Sequence, residues 1–342
     1  MKLLFDARWI NQSNPDGITR FSRELIKKLI EDGVDLQLLV SSKDQLQELP
    51  KVKSILTNRP TSQRELGQSM SLNSHGFDVI YTPHYIFGGS GRNFPLIRTV
   101  HDLIPFKYSQ KGAKLAWRLF HSNTRILSSI LNNSDGIVTV SNAVKKELQG
   151  LTHTPIEVVY NAPFASRASN SSDGKSLLYI GRYERYKNVE CLISAMTYLG
   201  DYQLLLAGNC PLQRQQELLP KEVSNVKFIG KISDSEYVEV LSNAFALVTA
   251  SKEEGFGLPV VEAMAAGCPV ICSDIDVFKE VAGDAGQFFD PNKPKQLADC
   301  AKRLEDPKYR KSVAIKSIKN ARRFSWTNSS DRLKSFLSDV CK

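Results

Sequence analysis

Along the first half of the chain, short runs of Val, Ile and Leu alternate with stretches whose apolar residues recur every three and four positions. The runs cover residues 2–6, 36–41, 52–56, 79–82, 96–100, 136–140 and 157–160. Near-continuous apolar segments of this length predict strands covered on both faces, as in a parallel sheet. Residues 18–29, 113–132 and 142–148 carry the helical spacing. Residues 161–175, NAPFASRASNSSDGK, show no period and are rich in Ser, Asn and Ala, which marks a linker. The alternation then restarts. Strands are predicted over 176–180, 203–207, 226–229, 244–249 and 269–272, and helices over 189–197, 235–241, 259–265 and 294–304. One or two closing helices fit 308–319 and 328–340. This pattern predicts an α/β chain of two domains joined by one linker, with a ligand cleft between them.

The bulk composition agrees. A chain of 342 residues has room for two cores, and 42% hydrophobic with 24% charged residues is a globular balance. No apolar run is long enough to span a membrane. The opening MKLLFDARW breaks its apolar run at Asp6 and Arg8, as a first strand does and a secretion signal does not. Cysteines stand at 191, 210, 268, 272, 300 and 341, with no CxxC spacing, so buried thiols in a reducing cytoplasm are expected. The net charge is +9, of which +6 falls in residues 1–164. That excess suits an anionic acceptor or peripheral contact with an anionic membrane, and equally an ordinary solubilising surface. No compact basic stripe interleaved with aromatics and no zinc-finger spacing occurs, so no nucleic acid partner is expected.

Four segments carry candidate chemistry. In residues 251–274, SKEEGFGLPVVEAMAAGCPVICSD, two glycines sit in an acidic loop ahead of a helix opened by Pro259. Gly255 and Gly257 allow tight turning and close approach to a ligand, and the helix N-terminus favours an anion such as a diphosphate. Glu254 and Glu262 flank that loop and suit sugar or ribose hydroxyls. Glu262 is placed in the first helical turn, where it could also serve as a cap. In 181–188, GRYERYKN, Arg182 and Lys187 follow a strand and are expected to converge on a phosphate. In 100–105, VHDLIP, His101 stands at a strand end, with His84 of YTPHY competing for its role. In 6–21, Gly17 opens a helix after the first strand. Dinucleotide GxGxxG, P-loop, HExxH and GxSxG patterns are absent.

Taken together these segments resemble the retaining glycosyltransferases of family 4, across nearly the whole chain. The strongest element is the E-x7-E pattern of Glu254 and Glu262 within EGFGLPVVEAMAAGCPVI. GRYERYKN, VHDLIP and DGITRF match the family's phosphate, histidine and amino-terminal glycine motifs. Two departures occur. Asp16–Gly17 stands where many members have two glycines, and Asn161–Ala162 where many have Asn-Gly.

The resemblance implies a GT-B fold, with two Rossmann-like domains whose parallel sheets face across a cleft. Residues 1–164 would form the acceptor-binding domain and 165–322 the nucleotide-sugar domain. The closing helix, 323–342, would pack back on the first. It implies that Glu262 holds the ribose, and that Glu254 contacts the transferred sugar in an orienting role, although sequence alone also allows a nucleophile. Gly255, Phe256, Gly257 and Leu258 would meet the sugar hydroxyls and diphosphate through their main chain, and the base would lie near Gly230–Ser233. Arg182 and Lys187 would neutralise the leaving diphosphate, Gly17 would assist, and His101 would bond a sugar hydroxyl. No metal is required. DGITRF and HDLIP most resemble bacterial mannosyltransferase-like members, so GDP-mannose is the expected donor. UDP-glucose, UDP-N-acetylglucosamine, GDP-fucose or a dTDP-sugar are the alternatives. The acceptor, a saccharide or lipid-linked saccharide, would meet 82–92, 104–117 and His121, a region with Tyr81, Tyr85, Phe87, Phe106, Tyr108 and Trp117. The competing class is a non-catalytic sugar-nucleotide-binding protein. Oligomeric state is left open, and a cytoplasmic location, or the inner face of the cell membrane, is expected.

Overall fold

The computed structural model describes residues 1–13, 15–60, 62, 65, 68–87, 89–108, 123–164, 174–219 and 223–342. The chain divides into two compact units, Met1–Asn161 with Ser325–Lys342, and Ala162–Phe324.

Unit 1 is a seven-stranded parallel sheet. Its strands are β1 (Lys2–Asp6), β2 (Asp35–Val40), β3 (Ser54–Leu56), β4 (Val79–Thr82), β5 (Leu96–Val100), β6 (Gly136–Thr139) and β7 (Ile156–Val158), in the order β3-β2-β1-β4-β5-β6-β7. Every residue of β4, β5 and β6 is buried, which is why their sequences lack alternation. Its helices among the described residues before the linker are α1 (Gly17–Glu31), α2 (Gln68–Leu72), α3 (Ile104–Lys107), α4 (Thr124–Asn132) and α5 (Asn142–Gln149). Residues 113–122 of the helix expected over 113–132, and 165–173 of the linker, lie outside the described residues.

Unit 2 repeats the scheme with six parallel strands. These are β8 (Ser176–Ile180), β9 (Gln203–Ala207), β10 (Val226–Gly230), β11 (Ala246–Thr249), β12 (Val270–Ser273) and β13 (Gln287–Phe289), in the order β10-β9-β8-β11-β12-β13. Its helices are α6 (Val189–Ala195), α7 (Leu212–Leu218), α8 (Asp234–Asn243), α9 (Leu258–Ala265), α10 (Asp276–Ala282), α11 (Pro294–Arg303) and α12 (Pro307–Ala321). The sequence reading omits α7, α10 and β13. The two helices have seven residues and the strand three, fewer than two full periods each.

The last helix, α13 (Trp326–Val340), belongs to unit 1. Ser329 Oγ donates to Tyr160 O at 2.6 Å, and Ser330 Oγ and Lys334 Nζ both donate to Asp32 Oδ2 at 2.7 Å. Lys334, with Ser330 and Lys28, holds the Asp32 carboxyl well below the usual carboxylate range. In each sheet the strand order reverses once, between β1 and β4 and between β8 and β11. Loops leaving the carboxyl ends of strands at such a reversal splay apart and leave room for a ligand.

Candidate active site

The loops after β8 and β11 converge at the reversal in unit 2. Tyr186 O accepts the amide of Lys252 at 2.8 Å, which ties one loop to the other. Lys187 Nζ lies 2.5 Å from Glu254 Oε1, and Ser251 Oγ donates to the same oxygen at 2.8 Å. Burial opposes the charge on Lys187, but the Glu254 carboxylate more than offsets it, so the lysine pKa is raised. The lysine is therefore a fixed positive charge near neutral pH. Asn188, in the left-handed region at φ 53°, donates to Ala250 O at 3.2 Å and Pro291 O at 2.7 Å. It clips the loops after β11 and β13 to the start of α6. The sequence signal for it was present, since Asn is the side-chain residue that best tolerates this backbone region.

Gly257 precedes α9 with φ 91°. A Cβ there would lie 2.7 Å from Phe278 Cε1, so both backbone and space demand glycine. Gly255 and Phe256 are buried, and the Phe256 ring packs edge-on to Phe324 at 5.4 Å. The Phe256 side chain is thus a packing element, and a ligand would meet this position through the main chain. Leu258 is the first helical residue and Pro259 the second. The placement of Glu262 needs correction. It is the fifth residue of α9, in the second turn rather than the first, only 1% exposed, and it accepts a hydrogen bond from the Tyr237 hydroxyl of α8. It is not a cap. The helix begins at Leu258, one residue before the proline, which moves Glu262 inward.

Arg182 and Lys187 both lie against Tyr186 and make different ion pairs. The Arg182 side chain is 75% exposed, pairs with Glu184 at 3.5 Å and donates to the Tyr186 hydroxyl at 3.3 Å. A long exposed arginine is held by its nearest carboxylate, whereas Lys187 is drawn to the more buried one. Gly230 ends β10 with φ 72°, and its carbonyl accepts the Gly208 amide at 2.8 Å. Ser233 then caps α8 in a reciprocal capping box with Glu236.

In unit 1, His101 follows β5 and is partly buried, with Nε2 2.9 Å from Pro83 O and its ring edge-on to Phe21 at 5.1 Å. A carbonyl only accepts, so Nε2 carries the proton and Nδ1 is left as the acceptor. Burial pushes the imidazole pKa down to about 4, so the ring is neutral near pH 7. His84 stacks on Trp9 at 3.8 Å, and its Nδ1 accepts the Ile86 amide at 3.1 Å. Gly17 is the exposed first residue of α1, whose cap is Asp16, accepting from the Thr19 amide at 2.8 Å. Several aromatic residues expected at the acceptor side belong to the core instead. Tyr81, in β4, is fully buried with its hydroxyl 2.5 Å from Thr99 Oγ1, and Tyr85 and Phe87, after that strand, are buried in apolar clusters. Trp117 and His121 lie outside the described residues. Among the described residues no group of three His, Cys, Asp or Glu side chains is placed to hold a metal. All six cysteines are free, five of them buried.

Two doubly wound units in succession, with glycine-turned loops and a charged pair at the strand-order reversal of the second, place a candidate ligand site at the carboxyl ends of the unit 2 strands. Two family models match consecutive stretches of the chain: "Glycosyltransferase Family 4" over residues 15–162 and "Glycosyl transferases group 1" over residues 163–323. The chain is a glycosyltransferase of the GT-B fold, related to those two groups. It is 27% identical over 335 residues to an uncharacterized glycosyltransferase of Methanocaldococcus jannaschii, covering 91% of each chain. It is 24% identical to the O-antigen chain mannosyltransferase B of Escherichia coli, covering 96% of this chain and 97% of that one. Its fold is similar to that of Anabaena HepE, solved in complex with UDP-glucose, with TM-score 0.76 and 18% identity over 99% of this chain and 100% of that one.

Proposed function

We propose that the chain transfers a hexose from a nucleoside diphosphate donor to a saccharide or lipid-linked saccharide, with retention at the anomeric carbon. The observation that carries this reading is the Lys187–Glu254 pair beside the Gly257 turn, at the strand-order reversal of unit 2. A partly buried ammonium next to a helix N-terminus is suited to negative charge developing on a diphosphate.

In the reaction, the bond between the anomeric carbon and the diphosphate oxygen breaks, and its electron pair leaves with the diphosphate. The acceptor hydroxyl bonds to the same face, and its proton passes to a leaving phosphate oxygen. Lys187 neutralises the leaving group, joined by Arg182 once its exposed side chain turns from Glu184. Glu254 orients the sugar, the main chain of Gly255, Phe256, Gly257 and Leu258 meets the sugar and diphosphate, and Glu262 with Tyr237 holds the ribose. The base lies against Gly230–Ser233. The parts assigned to Gly17, at the phosphate, and to His101, whose Nδ1 accepts a hydrogen bond from a sugar hydroxyl, belong to unit 1. The neutralising charge comes from side chains, and no metal is assigned a part.

The donor reading is wider than the GDP-mannose expected from the sequence. A full-length relative is named a mannosyltransferase, whereas a solved protein of similar fold was captured with UDP-glucose. UDP-linked hexoses therefore stand beside GDP-mannose. A thermal-shift panel of UDP-glucose, UDP-N-acetylglucosamine, GDP-mannose, GDP-fucose and dTDP-glucose, followed by product analysis with the stabilising donor, tests this. Stabilisation by one nucleotide sugar and release of its diphosphate is expected; no response to any donor contradicts the reading.

A further inference from the structure

The helix α12 and the two residues after it, 307–323, hold seven basic residues and no acidic one. Unit 2 as a whole has 22 basic and 20 acidic residues, so without this segment it is acidic in balance, 15 against 20. Within unit 2 the positive charge is thus concentrated on one element, while most of the chain's net excess, +6 of +9, falls in residues 1–164.

The inward face of α12 is set by Val313, Ser317 and Ala321, all buried. The outward face follows the helical spacing through Lys308, Ser312, Ile315, Lys319 and Arg322. Lys311 and Lys319 stand one turn before and one turn after Ile315, which is 58% exposed, and Ile318 is 40% exposed beside it. Lys308, Lys311, Lys316, Lys319 and Arg322 have no carboxylate partner among the described residues. Elsewhere lysines such as Lys107, Lys175, Lys279 and Lys334 are each paired. A surface whose cations are unneutralised and surround exposed isoleucines is complementary to an anionic layer with an apolar interior.

We propose that the outward face of α12 docks on an anionic phospholipid surface, with Ile315 and Ile318 entering the acyl boundary and the flanking lysines reaching the headgroups. Lysine stems extend along apolar surface while their charges stay at the polar level, which suits the bracketing of Ile315. An acidic polymer without an apolar interior would leave both isoleucines in water. No described helix is long and apolar enough to cross a membrane, so the contact is peripheral. It does not depend on the donor assignment.

The test is co-sedimentation of the full chain with phosphatidylcholine vesicles, with and without roughly one-third phosphatidylglycerol. Binding to the anionic vesicles only, weakened by salt, is expected. Combined Lys311→Glu, Lys316→Glu and Lys319→Glu should reduce it by about a hundredfold. Ile315→Ser should reduce it several-fold while thermal unfolding stays at the wild-type temperature. Reversal of Lys43, Lys51 and Lys53, exposed in unit 1, should change it little. Equal binding by the α12 triple variant, loss on the unit 1 reversal instead, binding to neutral vesicles alike, or a preference for single-stranded RNA over vesicles would each overturn the proposal.

Discussion

Lys187 Nζ and Glu254 Oε1, 67 residues apart in sequence, stand 2.5 Å from each other where the loops after β8 and β11 meet. Their side chains are 17% and 13% exposed, so neither charge is well solvated, and each depends on the other. The pairing has a functional consequence. In the proposed reaction an arriving diphosphate competes with the carboxylate for the ammonium, which frees the carboxylate for sugar hydroxyls.

Lys187→Met is therefore expected to lower both stability and turnover. Leaving Glu254 uncompensated should cost about 1–3 kcal/mol in urea unfolding. Loss of charge at the leaving group should reduce kcat/KM by at least about a hundredfold. A double-mutant cycle with Glu254→Gln should give a coupling above ~1 kcal/mol that shrinks when saturating nucleoside diphosphate is present. A coupling unaffected by nucleotide would separate the pair from the donor site.

Gly257→Ala tests the turn ahead of α9. The substitution forces a Cβ at φ 91° and within 2.7 Å of Phe278 Cε1. A loss of about 2 kcal/mol or more is expected, well beyond the entropic gain of alanine over glycine. Neutral stability would mean that the loop adopts another conformation in solution.

Glu262→Ala and Tyr237→Phe address the ribose assignment. Both should weaken nucleoside diphosphate binding in calorimetry, the first by about tenfold or more, the second less. Unchanged affinity in Glu262→Ala would remove the ribose role and leave Glu262 as a buried partner of Tyr237.

His101 should leave a pH signature in stability. Its folded pKa, about 4, lies below the ordinary histidine value, so the unfolded chain binds the proton more readily. Its contribution is fully present above about pH 6.5 and is lost as pH falls toward the folded value. His101→Gln should flatten the stability profile across that window relative to wild type. In activity assays it should lower kcat more than it changes donor binding. A profile identical to wild type would contradict a buried, neutral ring.

Most of this fold was legible because both sheets are parallel and their central strands are buried on both faces, which turns strands such as β4 and β11 into short apolar runs with sharp ends. Strand β13 and helices α2, α3, α7 and α10 were not, since each spans fewer than two full periods. The site was legible as residue types and less so as geometry. Spacing identified Glu254, Glu262, Arg182 and Lys187 as the chemically interesting side chains. It could not show that Lys187 pairs with Glu254 while Arg182 pairs with Glu184, because that choice is made by burial and by the Tyr186–Lys252 backbone bond between distant loops. Nor could it find Ser251 and Tyr237, whose hydroxyls bond the two glutamates, since single hydroxyl residues carry no pattern.

The most direct measurement is calorimetric titration of UDP and GDP into the wild-type chain and into Lys187→Met. One of the two should bind the wild type, the corresponding monophosphate should bind more weakly, and Lys187→Met should weaken the diphosphate by at least about tenfold while changing the monophosphate little. Failure of both diphosphates to bind, or equal affinity in wild type and Lys187→Met, would contradict a diphosphate site at the Lys187–Glu254 pair.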